Sequence, residues 1–295
     1  MAHLLIAAPA IAGTIIFLAG IGLWFFRPSS RGDTRMALAI LFIAAPLAAF
    51  GVEHLVIPRE IMQIVPQWLP ARLFITYFVG VALIAAALSL TARKVFRLST
   101  FLLGIMFFLF VFLMEIPGSV SEPHNRLGWL IVFRDSTFAL GGFVLFHCAG
   151  DRRDSPFWLQ LVRIWTGLAI TFFGVQHLLH PECTPGVPSE RITPAWVPAP
   201  LLLSYAVGFI LIACGLAMLL RKRTKEAATI AAYVMVFLTV LLYLPDALLP
   251  SARGNLQGTN YVFDTLLYGG VLLAIAEATA APARVAPVEV LQPVS

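Results

Sequence analysis

Residues 37–57 read ALAILFIAAPLAAFGVEHLVI, and among these 21 residues only Glu53 and His54 are polar side chains. About 20 consecutive apolar residues are what a helix needs to cross the hydrocarbon of a bilayer. The stretch therefore predicts a membrane-spanning helix with its polar residues held back to one end. Residues 4–26, LLIAAPAIAGTIIFLAGIGLWFF, carry no charge at all. That run is too long for the apolar region of a signal peptide and lacks a basic flank before it, so it is expected to stay in the protein as a helix.

Seven further runs extend the pattern, giving spans at 4–26, 37–57, 72–91, 99–117, 128–149, 158–179, 200–220, 227–247 and 261–279. Of the 295 residues 60% are hydrophobic and only 12% charged. Soluble domains average about 25% charged residues. Thirty-five charged residues cannot cover the surface of a water-soluble chain of this length, and disordered chains are poor in apolar residues. The expected fold is an all-α polytopic membrane protein of about nine transmembrane helices. An outer-membrane barrel would show segments of ~10 alternating residues instead.

Loop charges predict the orientation. Twelve cationic residues follow spans 1, 3, 5 and 7: Arg27, Arg31, Arg35, Arg93, Lys94, Arg97, Arg152, Arg153, Arg221, Lys222, Arg223 and Lys225. Five follow spans 2, 4, 6 and 8: Arg59, Arg72, Arg126, Arg191 and Arg253. By the positive-inside rule the first set is cytoplasmic. A multi-pass inner (plasma) membrane protein is expected, with its N-terminus outside and its C-terminus in the cytoplasm.

The end of the second span recurs later in the chain. Phe50-Gly51-Val52-Glu53-His54-Leu55 with Pro58 becomes Phe173-Gly174-Val175-Gln176-His177-Leu178 with Pro181. Pro66-Gln67-Trp68-Leu69-Pro70-Ala71 becomes Pro194-Ala195-Trp196-Val197-Pro198-Ala199. Tyr77 and Gly80 match Tyr205 and Gly208, Arg93-Lys94 matches Arg221-Lys222, and Pro117 matches Pro245, all at an offset of 128. Asn125 falls near Asn255, Asp135 near Asp264, and Gly141-Gly142 matches Gly269-Gly270. So many matches in one order predict an internal duplication. The organisation expected is an extra helix and loop (1–35), a first four-helix unit (36–150), a second (151–280) and a disordered tail (281–295). Four spans per unit is an even number, so the units should be parallel repeats about an axis along the membrane normal.

The repeated unit resembles the DoxX/DoxD family of four-helix membrane proteins. The likeness rests on Gly51, His54 and Pro58, then Val65-Pro66, Leu69-Pro70, Tyr77 and Gly80, with Arg134-Asp135 and Gly141-Gly142. Its second copy runs through Gly174, His177, Pro181, Pro194, Pro198, Tyr205, Gly208, Asp264 and Gly269-Gly270, so about 240 residues are covered. A subunit of a thiosulfate:quinone oxidoreductase gave the family part of its name. The resemblance thereby implies a membrane subunit of a quinone-linked redox system, with quinone and a partner redox subunit as its associates.

Repeated polar residues gather toward the expected outer side. His54 and His177 end spans 2 and 6, Glu53 stands beside His54, and Glu115 and Tyr243 hold matching places in spans 4 and 8. Asp135 lies about seven residues into span 5, roughly 10 Å deep, and Asp264 near the start of span 9. Ionisable groups within a membrane are costly and face a bundle interior or a wet cavity. Two outward-facing pockets are therefore expected: one around His54, Glu115 and Asp135, and a copy around His177, Tyr243 and Asp264. The alternative for the histidines is a helix-end cap, and for the aspartates an anchor to a neighbouring helix. Arg134 and Asp135 are sequence neighbours and are expected to find separate partners on a helix. Arg163 is expected to snorkel to the cytoplasmic face.

The two pockets should not be equal. Gln176 and Tyr243 replace Glu53 and Glu115 in the second copy, and five more residues separate Pro181 from Trp196 than separate Pro58 from Trp68. Cys148, Cys183 and Cys214 lie in different segments without metal-ligand spacing. Phosphate-loop, dinucleotide and zinc-protease motifs do not occur, so no cofactor of the chain's own and no nucleic-acid partner is expected. Membrane lipid is the expected surrounding partner. A small-solute or ion transporter, and a structural or lipid-binding subunit of a larger complex, are the other function classes open to such a sequence.

Overall fold

The computed structural model describes residues 2–26, 34–150, 156–187, 189–249 and 256–279. Arg27, Arg31, Arg152, Arg153, Arg253, Asn255, most of the link between the expected units, and the expected disordered tail lie outside these residues.

Helices account for nearly all of the described chain: α1 (Ala2–Phe26), α2 (Thr34–Val56), α3 (Pro58–Ile61), α4 (Arg72–Ala92), α5 (Phe96–Phe110), α6 (Ile116–Ser121), α7 (Arg126–Cys148), α8 (Pro156–Leu179), α9 (Pro200–Leu219), α10 (Thr224–Leu238), α11 (Leu244–Leu248) and α12 (Leu256–Ala278). A π-helical turn at Val111–Glu115 joins α5 to α6, and another at Thr239–Tyr243 joins α10 to α11. Among the described residues nine helical stretches are long and apolar enough to cross a membrane, and each lies within five residues of the run read from the sequence. The protein is an all-α, multi-pass membrane protein.

Apolar side chains explain which faces pack and which do not. Helix α12 is buried on all sides by α2, α7 and α10, with Tyr268, Leu272 and Ala274 wholly enclosed. Around it α2 packs on α4, α5 on α7, α8 on α9, and α1 lies along α2. By contrast Phe74, Phe78, Val81 and Leu88 of α4, with Leu202 and Phe209 of α9, stand exposed. Water would penalise an apolar belt of that extent, whereas lipid solvates it.

Local backbone features occur twice at the same spacing. Ala71 and Ala199 precede α4 and α9 with φ of 50° and 46°. Arg93 and Arg221 have φ of 58° and 57°, and Val95 and Arg223 have φ of 45° and 51°. L-residues avoid this left-handed region. The two π-helical turns also stand 128 residues apart. A Cβ on Gly51 would meet the Gly80 carbonyl at 2.8 Å, and one on Gly174 would meet the Gly208 carbonyl at 2.7 Å. The crossings α2–α4 and α8–α9 are thus equally close and made by corresponding residues.

Arg163 reaches the end of α9 from which the expected cytoplasmic loop continues, where its guanidinium is buried and donates to the carbonyls of Met218 and Leu219 (2.9 Å to the latter). The last turn of a helix leaves carbonyls short of intrahelical partners; that of Met218 also accepts from the Arg221 N–H at 3.1 Å, and a cation there adds a further bond and suits the helix dipole.

Candidate functional site

A cavity of about 550 Å³ opens between α2, α4, α5 and α7. Phe50, Val79, Leu83, Phe107, Phe110 and Phe138 form much of its apolar wall. His54, Glu115, Glu122, Asn125, Arg134, Asp135, Asn260 and Asp264 bring the charged and amide groups to it. A volume of this size with few convergent polar groups matches a small-molecule site.

Helix register places each polar group. His54 sits in the last turn of α2, where its Nδ1–H donates to the Phe50 carbonyl one turn back at 2.8 Å. The neutral ring therefore carries its free lone pair on Nε2. The π-helical turn ends on Glu115, whose Oε2 is buried without a well-formed hydrogen bond among the described residues. Glu115 faces Asp135 and Arg134.

Arg134 overturns the expectation that it and Asp135 need separate partners. Its long side chain folds back so that Nε donates to Asp135 Oδ1 at 2.6 Å, while Nη1 donates to Asp264 Oδ2 at 2.9 Å. The fork of a guanidinium can hold two carboxylates at once, which a helical i,i+1 argument from Cβ directions does not capture. Three carboxyl groups thus surround one cation, all within the membrane-spanning part of the chain.

Asp264 is consequently not in a second pocket with His177 and Tyr243. Helix α12 carries it from the second half of the chain into the first cavity. Glu53 does not line the cavity: it is buried and accepts from Asn260 Nδ2 of α12, a residue of the cavity wall, at 2.8 Å.

The place corresponding to the first cavity in the second half is filled by the chain itself. The segment Cys183–Val187 turns inward and is buried. The Gly186 N–H donates to His177 Nε2 at 2.8 Å, and Tyr243 Oη donates to the Pro185 carbonyl at 2.8 Å. Gly186 has φ of +140°, and a Cβ there would lie 2.6 Å from Tyr243 Oη, so only glycine fits. The loop is pinned further by Arg191 on Asp246, by Tyr261 on Glu190 (3.2 Å) and by Arg126 on the Ser189 carbonyl (2.7 Å). Two pockets were expected from the sequence. One open cavity and one occupied place are found, and the inward turn of the longer loop, Cys183–Val187, is what fills the second.

Trp68 and Trp196 are both exposed, in the segments preceding α4 and α9. Cys183 is enclosed by its loop; burial pushes its thiol pKa up, against the pull of the Arg126 guanidinium.

Comparison with known proteins adds one match. A family profile described as a domain of unknown function, DUF8561, matches residues 43–121. That segment runs from within α2 to the end of α6 and holds Glu53, His54 and Glu115, but stops short of Asp135 and Asp264. No curated protein and no solved structure matches the chain significantly.

Proposed function

We propose that this protein is an inner-membrane subunit of a quinone-linked redox system, made of two DoxX-like four-helix units after an added N-terminal helix. The cavity of the first unit would take the head of a membrane quinone. The observation that carries this reading is the cluster of His54, Glu115, Asp135, Arg134 and Asp264 in a cavity whose wall is largely aromatic and aliphatic, with Thr76, Ser119, Ser121, Glu122, Asn125 and Asn260 as its other polar members. A quinone is a flat apolar ring with two polar oxygens. Phe50, Phe107, Phe110 and Phe138 offer the ring surfaces to pack on, and the polar cluster meets the oxygens.

Conversion of a quinone to a quinol takes two electrons and two protons. Carboxyl groups in excess over the one guanidinium supply a place where a proton is held and handed on. Electrons would come from a partner redox subunit, since the chain shows no cofactor motif of its own. The recurring left-handed residues, π-helical turns and glycine contacts support the reading of two copies of one unit. Loop charge supports an external N-terminus and a cytoplasmic C-terminus. This orientation puts the end of α2, and hence the mouth of the cavity, on the outer side.

A second reading, a small-solute or ion carrier, draws on the two π-helical turns. Each is followed by a proline, Pro117 or Pro245, and interrupts a spanning helix. Interrupted helices line the binding sites of many carriers.

The test is what the protein holds when purified in mild detergent. Organic extraction should release an isoprenoid quinone at about one per chain. Lipid alone, together with no binding of an added short-tail quinone, would overturn the proposal.

A further inference from the structure

The second half of the chain displays its own ligand. Pro185 C=O and Gly186 N–H belong to a single peptide group, and that group is held at both ends: the carbonyl by Tyr243 Oη, the N–H by His177 Nε2, each at 2.8 Å. The first cavity carries matching residues at matching places. His54, like His177, lies four residues after a phenylalanine and four before a proline, and its Cβ packs against Gly80 as that of His177 packs against Gly208. Glu115 ends its π-helical turn as Tyr243 ends the other. What differs is the occupant, because the first unit's shorter loop sends Ile61, Ile64 and Val65 to the cavity wall but no peptide group between histidine and acid.

His54 fixes what that occupant must offer. Its Nδ1–H is engaged with the Phe50 carbonyl, so Nε2 can only accept in the neutral ring. A ligand that presents a carbonyl to this nitrogen meets lone pair against lone pair. A ligand that presents N–H or O–H repeats the bond seen at His177. At the other end a carboxyl group can accept or donate, so it discriminates less. We infer that the open cavity takes a head group that donates a hydrogen bond to Nε2 of His54. Within the quinone reading, on which the choice of ligand rests, this is the hydroxyl-bearing reduced form, the quinol, rather than the quinone. Bound this way the quinol, the product of the proposed reduction, donates one hydroxyl to Nε2 of His54 while the acid cluster faces its other oxygen.

Two matched pairs of probes test this on the intact purified protein, stripped of endogenous ligand, by equilibrium dialysis without oxygen. One pair is a short-tail ubiquinol against its ubiquinone. The other is N-decylacetamide against N-decyl-N-methylacetamide, in which a methyl group replaces the hydrogen of the N–H. The donor-bearing member should bind about fivefold tighter in each pair. His54→Phe should bring both ratios close to one. Preference within the amide pair with no binding of either quinone form would keep the inference and overturn the quinone reading. Equal binding within the pairs, or tighter binding of the donor-free members, would overturn the inference. So would a preference that survives His54→Phe, and binding of none of the four overturns both. The ratios in the unaltered protein decide the matter even if His54→Phe fails to fold.

Discussion

Arg134 is the residue on which the first cavity turns. It ties Asp135 of its own helix to Asp264 of α12, so one side chain joins the two halves of the chain at membrane depth. Removing one partner from a buried charge network leaves the others unpaired, at a cost of about 3–5 kcal/mol. Arg134→Leu should therefore lower the midpoint of thermal unfolding in detergent sharply, whereas Asp135→Asn, which keeps a hydrogen-bond acceptor, should lower it less. Equal midpoints for Arg134→Leu and the unaltered protein would remove Arg134 from this role. The polar residues themselves were legible in the sequence, because acids and histidines inside apolar runs stand out. Their grouping was not. The reach of an arginine side chain and the crossing of α12 into the first half are facts of three dimensions, and spacing along one helix is silent on both.

At the scale of elements, the segment between α8 and α9 separates the two halves of the molecule most clearly. Its length was readable, five residues more than its counterpart, but a Pro-rich loop shows no periodicity from which its path could follow. The spanning helices were readable because twenty apolar residues admit few alternatives in lipid. The π-helical turns left no signal beyond the prolines after them. Since Gly186 combines a left-handed φ with contact to Tyr243, Gly186→Ala should loosen the loop and cost about 1–2 kcal/mol. Cys183, three residues away, reports on it. The thiolate is the reactive form, and a raised pKa keeps it scarce near neutrality, so maleimide labelling of Cys183 should be slow at pH 7 and keep rising beyond pH 9. Gly186→Ala should speed labelling at pH 7 several-fold. Unchanged labelling would mean that the loop does not depend on this glycine.

For the whole molecule, orientation decides which solution the cavity faces. Twelve loop cations in one set of loops against five in the other predict that the exposed Trp68 and Trp196 segments lie outside. A single cysteine introduced beside either tryptophan should react with a membrane-impermeant thiol reagent on intact cells; reaction only after lysis would invert the topology. The larger claim is that one half of the molecule keeps an open site while the other is filled by its own loop. Quinone content of purified variants measures this directly. Glu115→Gln and Tyr243→Phe change corresponding places by a single functional group each, and both should be compared at equal yield and equal thermal stability. Loss of most bound quinone in Glu115→Gln with retention in Tyr243→Phe is the expected result. Retention in Glu115→Gln, or an equal loss in both, would contradict a working site confined to the first cavity.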